Sequence, residues 1–360
     1  MTEKNKRTTW IGTKTGGDHP GRGIYRTRLD LESGSLSEPE RVAELTAPGF
    51  LTTDSAGKHL YAIYRDTERG EGGVAAFRVN GAHDLSLLGR QHTGCGKPAH
   101  VSVDRDGTCV YSAQYSAGTI ASFPVTEDGG VGAPVEQIQH HGSGPNEARQ
   151  ESAHPHWTGV DPSGRFLYVP DLGADEIVRY RRTEACGLER SGSIPVEPGS
   201  GPRHMVFHPT LPRAYVIFEL AEAVTVFDYD DESGKLDALQ TVSTLSGVKP
   251  KRASKASEIR VHPGGGFVFA GNRGHDTITV FGVDEEDGRL AHVEREPIRG
   301  AWPRNFHVDP TGAWLVAAGQ ETNTITTFRI DGETGRLTYS GHAVNVPDPI
   351  CVDFQPAETA

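Results

Sequence analysis

The segment Pro155-His156-Trp157-Thr158-Gly159-Val160-Asp161-Pro162-Ser163-Gly164-Arg165-Phe166-Leu167-Tyr168-Val169 has four parts: a Pro start, an alternating run, an Asp-Pro and Gly turn, and an unbroken apolar run. Two apolar patterns of strand length around such a turn read as an antiparallel hairpin. The pattern recurs, with Pro202-Arg203-His204 leading through His208-Pro209 to Ala214-Tyr215-Val216-Ile217. Further copies start at Pro48, Pro98, Ala256, Pro303 and Pro349, spaced about fifty residues apart. A repeat of that length built only of strands and turns predicts an all-β, seven-bladed β-propeller.

Third strands of the repeat are expected at Gly73 to Val79, Thr119 to Val125, Glu176 to Arg181, Ala223 to Tyr229, Thr277 to Val283 and Thr324 to Ile330. Outer strands follow turns such as Asp287-Gly288 and Glu333-Thr334-Gly335, giving four antiparallel strands per blade. The chain ends supply the seventh blade. Thr9-Trp10-Ile11-Gly12 and Gly23 to Arg28 read as second and third strands that lack a first, and Pro349 to Phe354 reads as that first strand. The ring is therefore expected to close by N- and C-terminal strands sharing a blade, which removes exposed sheet edges. Residues 8–357 form one propeller in this reading, with 1–7 as a flexible N-terminus.

Composition narrows the function classes. A length of 360 residues exceeds an ordinary single core but suits stacked blades. A formal charge of −12 argues against a nucleic-acid surface, which needs a basic stripe, although a few local arginines still allow an anionic substrate. Cys95, Cys109, Cys186 and Cys351 form no Cys-x-x-Cys pair and are expected to be reduced. The N-terminus has no apolar core of a secretory segment, and no run is long enough to span a membrane. A cytoplasmic protein without nucleic-acid or membrane partners follows, as a monomer or weak homodimer.

Two repeat phases are chemically irregular. The residue after each start reads Gly49, Ala99, His156, Arg203, Ser257, Arg304, Ile350. The residue at the far end of the next strand reads Lys14, Arg65, Tyr115, Leu172, Glu219, Arg273, Gln320. Neighbouring phases stay apolar, so these two are expected to face a solvent-filled pocket. Singly, each has a bland reading: His156 as a turn cap, Arg203 and Arg273 as inter-blade ion pairs, Glu219 as their partner. As a set at equivalent phases they point to a site. The polar insertion Gln139 to Ala153 feeds into His154-Pro155-His156, and long loops that end at a site are often functional. A second connection, Ser246 to Lys255, carries Lys249, Lys251, Arg252 and Lys255.

On these residues the chain resembles the bacterial 6-phosphogluconolactonase family of seven-bladed propellers, over essentially its whole length. The matching motifs are Gly12-Thr13 with Gly23-Ile24-Tyr25, Gly142-Ser143-Gly144-Pro145-Asn146, His154-Pro155-His156 and Pro170-Asp171-Leu172-Gly173. Gly201-Pro202-Arg203-His204, Glu219-Leu220, Ser257-Glu258-Ile259, Asn272-Arg273-Gly274-His275-Asp276 and Pro303-Arg304-Asn305-Phe306 complete them. The related fungal carboxymuconate lactonizing enzymes have an active-site His, two Arg and a Glu that match His156, Arg203, Arg273 and Glu219 by phase.

The resemblance implies hydrolysis of 6-phospho-glucono-δ-lactone to 6-phosphogluconate, a step of the pentose phosphate pathway, without metal or cofactor. Glu219 would be the general base and His156 its base or acid partner. Arg203 and Arg273 would hold the oxyanion or phosphate. His154, His204, Arg304 and Arg65 would contact the substrate. The chain departs from the family at Tyr64-Arg65, Gln114-Tyr115 and Trp157. These departures motivate an alternative, a lactonase or lactonizing cycloisomerase acting on another lactone. A non-catalytic binding propeller is the third reading.

Overall fold

A computed structural model of the protein describes residues 5–16, 18–66, 68–81, 83–248 and 252–356. Seven four-stranded antiparallel sheets follow one another along the chain, the arrangement of a seven-bladed β-propeller. The blade begun by Pro98 pairs Pro98–Val103, Cys109–Gln114, Thr119–Pro124 and Glu136–Gln139 in sequence order. Three third strands, Ala223–Tyr229, Thr277–Val283 and Thr324–Ile330, have the bounds read from the sequence. The shared blade orders Pro349–Phe354, Lys6–Thr13, Gly23–Asp30 and Glu40–Glu44, so the last strand of the chain lies beside the first. That first strand starts at Lys6, earlier than the sequence suggests, because Lys6 and Arg7 still pair with Asp30 and Leu29.

The recurrent Asp-Pro or His-Pro caps the turn between the first two strands. Asp161 Oδ1 accepts the Phe166 amide at 2.8 Å, and Asp309 Oδ1 accepts the Trp314 amide at 2.7 Å. His208 replaces the carboxylate with its ring, Nδ1 accepting from the Leu211 amide at 2.8 Å while Nε2 donates to the Gly265 carbonyl of the next blade at 3.0 Å. Burial depresses the affinity of His208 for a proton, in keeping with a ring that must stay neutral to accept at Nδ1.

The second strand supplies a latch between blades. Tyr61, Tyr168 and Tyr215 donate their hydroxyls to the carbonyls of Gly129, Gly234 and Gly288, each in a hairpin turn one blade further on. Burial pushes the Tyr61 and Tyr215 phenols far above their ordinary value, so both remain donors. Gly288 has φ +70°, and a Cβ there would lie 2.6 Å from the Arg213 side chain. The turn therefore needs a residue without a side chain.

The chain divides into two compact units. One comprises residues up to Glu44, Val206–Asp230 and Lys235–Gln355, the other Leu45–Met205 and Asp231–Gly234. In the first, buried Ile11, Leu29, Trp314, Val316, Val352 and Phe354 form one cluster, and Phe269, Val280, Phe306, Leu315 and Phe328 belong to another. In the second, Tyr111, Ile120, Leu167, Val169, Val178 and Tyr180 pack together. Glu184–Cys186 and Gln320–Thr322 are short 3-10 turns. No helix of the described residues is long and apolar enough to cross a membrane.

The cysteine expectation is corrected here. Cys109 and Cys186 form a disulfide, and only Cys95 and Cys351 are free thiols. Cys109 opens the second strand of one blade, and Cys186 sits in the turn joining the outer strands of the next. Packing of successive blades brings their Cα atoms to 5.7 Å, a separation a disulfide can bridge. The bond closes a loop with a sequence separation of 77. Replacing both cysteines by serine is expected to lower unfolding stability by about 2–4 kcal/mol. Denaturant titration of oxidised protein and the double variant measures this, and equal midpoints would show that the bond contributes nothing.

Candidate active site

The irregular phase that follows each blade start has a backbone cause. The pairing of first and second strands slips between Pro98 and His100, between Ala256 and Ile259, and between Pro303 and Asn305. Ala99, Ser257 with Glu258, and Arg304 therefore sit in β-bulges. A bulge frees a residue from the ladder and re-aims its side chain, and bulges concentrate beside functional sites. The second irregular phase lies where the next strand ends. Glu219 directly follows Arg213–Phe218, and Arg273 is the last residue of Phe267–Arg273.

Within the unit that holds Glu219, these two side chains form an ion pair. Glu219 Oε2 lies 2.7 Å from Arg273 Nη2, and the residues are 2% and 4% exposed. Arg273 Nη2 also donates to the Ala256 carbonyl at 2.7 Å. Glu219 in turn accepts the Ala256 amide at its backbone carbonyl, at 3.1 Å. Charges this desolvated are retained only when closely paired, and Arg273 meets that condition at one edge of its guanidinium. Its Nε is buried with no partner. The Trp302 indole lies against it, 5.7 Å from guanidinium carbon to ring centre. Ser257 Oγ donates to the Pro303 carbonyl at 2.6 Å, and buried Glu258 accepts from Asn305 Nδ2. Arg304 is half-buried in its bulge.

Within the other unit, His156, Arg203 and His204 come together with five further rings. Arg203 is 2% exposed, and its Nη1 donates to His204 Nε2 at 3.1 Å. His204 is thereby an acceptor at Nε2. The ring centres of His156 and His204 are 5.1 Å apart, and those of His204 and His100 5.5 Å. Phe50 lies 4.0 Å from His100, and Trp157 lies 5.5 Å from it. His154 stacks flat on Tyr115 at 4.4 Å, and Tyr115 presents its edge to His156.

His154, expected from the resemblance to contact the substrate, is held by the protein at its ring. Its Nδ1 faces the Tyr115 carbonyl at 2.8 Å and its Nε2 faces Glu151 at 3.0 Å, so both ring nitrogens are engaged by protein. The insertion that precedes it is mostly exposed but anchored through a few side chains. Gln150 is fully buried and donates to the Leu172 carbonyl, and Arg149 donates to the Tyr115 hydroxyl. Buried Asp171 accepts the His154 amide at 2.6 Å and pairs with His140. Arg65 is the penultimate residue of the strand His59–Asp66, and burial lowers its proton affinity. Lys249 and Lys251 lie outside the described residues.

Repeat phase alone passes over the residue one place further on, where only His204 is expected at the site, from the resemblance. That place holds Phe50, His100, Trp157 and His204 in one unit, and Glu258 and Asn305 in the other. All but Trp157 are buried, and they carry much of the polar and aromatic contact just described. Their variety from blade to blade is the signal that would have found them. Among the described residues, no group of three or more His, Cys, Asp or Glu is arranged to hold a metal ion.

Comparison with known proteins follows this geometry. Residues 8–354 match the family described as lactonase, 7-bladed beta-propeller. The chain is 40% identical to a 6-phosphogluconolactonase of Bacillus subtilis strain 168, covering 96% of this chain and 97% of that one. It is 33% identical to a 6-phosphogluconolactonase of Formosa agariphila over 80% of this chain and 82% of the other. Among solved structures, a Lactobacillus plantarum protein superposes with a TM-score of 0.90 at 31% identity, covering 97% of this chain and 99% of that one. The periplasmic gluconolactonase PpgL of Pseudomonas aeruginosa does so with a TM-score of 0.89 at 29% identity and the same coverage.

Proposed function

Since the chain belongs to the lactonase family of seven-bladed β-propellers, we propose that it hydrolyses a phosphorylated sugar lactone, 6-phospho-glucono-δ-lactone, to 6-phosphogluconate. The observation that carries the reading is the buried Glu219–Arg273 pair, a carboxylate and a guanidinium 2.7 Å apart at the two strand ends singled out by repeat phase. Glu219 takes a proton from water, whose oxygen bonds to the lactone carbonyl carbon. The ester bond to the ring oxygen then breaks, and that oxygen leaves as a hydroxyl, protonated by His156. Arg273 and Arg203 offer charge-assisted donors to the oxyanion and the phosphate. The grouping of His156 and Arg203 with Glu219 and Arg273 rests on their equivalent repeat phases.

A second reading has a specific motive. The chain is also similar to a gluconolactonase, and it departs from the family at Arg65 and Trp157. Hydrolysis of freshly made 6-phosphoglucono-δ-lactone and of glucono-δ-lactone, each against its spontaneous rate, separates the two. The proposal expects kcat/KM at least about 10-fold higher for the phosphorylated lactone, the discrimination one charge-assisted contact supplies. Equal values, or preference for the neutral lactone, would favour the second reading. Neither rate exceeding the spontaneous one would remove both.

A further inference from the structure

Trp302 stands where this fold asks for a small residue. The residue just before a blade start adopts a left-handed backbone in several blades, and elsewhere it is Ala47, Gly201 or Asp348. At Pro303 it is Trp302, with φ +62°. A bulky side chain in that conformation costs about 1–2 kcal/mol, and glycine would avoid the cost. Strain of this kind persists where surrounding contacts hold it, and it gathers at functional sites.

The contacts of the Trp302 amide and indole lead to Arg273, while its carbonyl accepts from the Gln320 amide at 3.3 Å. Asp276 Oδ1 accepts the Trp302 amide at 2.8 Å and the Gly274 amide, next to Arg273, at 3.1 Å. Asp276 also takes two donors from Arg252, at 3.0 and 3.1 Å, and Arg252 reaches Glu321 at 2.6 Å. The Arg252 guanidinium lies 5.1 Å from the centre of the indole that Arg273 also faces. Two cations thus share one aromatic ring, each neutralised by its own carboxylates, Asp276 and Glu321 for Arg252 and Glu219 for Arg273. Arg252 is therefore a brace for the indole and is poorly placed to attract an anion, since two carboxylates already surround it.

We propose that Trp302 is a positioning residue for the lactonase reaction: braced by Asp276 and Arg252, its indole face fixes the Arg273 guanidinium in the orientation that pairs it with Glu219. Arg273 makes hydrogen bonds through Nη2, while its buried Nε makes none. A single edge contact leaves a planar guanidinium free to swing about that edge. The indole removes that freedom through cation–π attraction and bulk. The role rests on the catalytic reading of Glu219 and Arg273 given above.

Trp302→Gly and Trp302→Phe test it. Glycine suits the left-handed backbone, so the variant keeps its fold while losing the face. Its kcat on the lactone is expected to fall about 10- to 100-fold, the cost of a misaligned catalytic group, with KM moving less than about 3-fold. Phenylalanine, which restores a face, is expected to recover most of the loss. A purely structural role would move neither kcat nor that rescue. An unchanged kcat in a folded Trp302→Gly protein overturns the proposal. A thermodynamic cycle on unfolding, pairing Trp302→Gly with Arg273→Met, decides the contact even if the wild type hydrolyses no lactone. Coupling of about 3-fold or more in the unfolding constant supports the hold on Arg273, and coupling near unity overturns it.

Discussion

Glu219→Gln is expected to lower kcat for lactone hydrolysis by on the order of 10³-fold, the range in which a positioned general base acts. The substitution keeps the shape of the side chain and removes only its basicity. An amide oxygen can still accept from Arg273 Nη2, so the 2.7 Å contact survives as a neutral hydrogen bond. The guanidinium, 4% exposed, then lacks a counter-ion. Breaking a buried pair outright costs about 3–5 kcal/mol, and the retained hydrogen bond should keep the penalty below that range. Circular dichroism and the thermal midpoint establish that the variant is folded before its rate is read. Glu219→Asp separates base from brace: it retains a carboxylate but withdraws it by one methylene, and should keep more activity than the amide. A folded Glu219→Gln protein with wild-type kcat would falsify the assignment of the base and return attention to His156.

The fold was legible in the sequence because a propeller repeats its chemistry as well as its length. Asp-Pro and His-Pro recur because each caps the same turn, as Asp161, Asp309 and His208 do. Gly288 recurs in kind because the turn takes a positive φ there, +70°, which glycine adopts without strain. The candidate site was legible for a related reason. Residues in a β-bulge or at a strand end are released from the pairing that keeps other positions uniform, so Arg304 and Glu219 could depart from the blade average. What escaped was set by contacts that the repeat does not encode. The partners Cys109 and Cys186 occupy unlike positions in successive blades, so no periodicity relates them. Trp302 precedes a proline and reads as turn, and its meaning comes only from the two arginines on its ring. The hold of Tyr115 and Glu151 on both nitrogens of His154 likewise comes from contacts outside the repeat.

Removing the chain from Pro349 onward is expected to abolish cooperative folding altogether. The strand Pro349–Phe354 is the first of its blade and pairs with Lys6–Thr13 from Thr9 opposite Phe354 to Thr13 opposite Pro349. Ile350, Cys351, Val352 and Phe354 are all buried, and Val352 and Phe354 pack with Ile11, Trp314 and Val316. Each such side chain contributes roughly 1.5–3 kcal/mol of burial. Their joint loss, with the exposure of Ile11 and Trp314, approaches the 5–15 kcal/mol that typically separates a folded domain from its unfolded state. Polar contacts go with them: Trp10 Nε1 donates to Gln355 at 3.1 Å, and the Val352 amide donates to Asn305 Oδ1 at 2.8 Å.

The same geometry specifies a rescue. Gln355 donates its amide to the Thr8 carbonyl, so the strand ends within a few residues of Lys6 on an antiparallel neighbour. A permuted chain that begins at Pro349, runs through Gln355, crosses a short Gly-rich turn to Lys6 and ends at Asp348 keeps every pairing while moving the break. It should unfold in a single transition near the wild-type midpoint, whereas the truncated chain should show no native baseline. A truncated protein that melts cooperatively would mean that the shared blade does not hold the fold closed. A permuted protein that fails to fold would mean that the covalent link at Asp348–Pro349, rather than strand pairing, is what the blade requires.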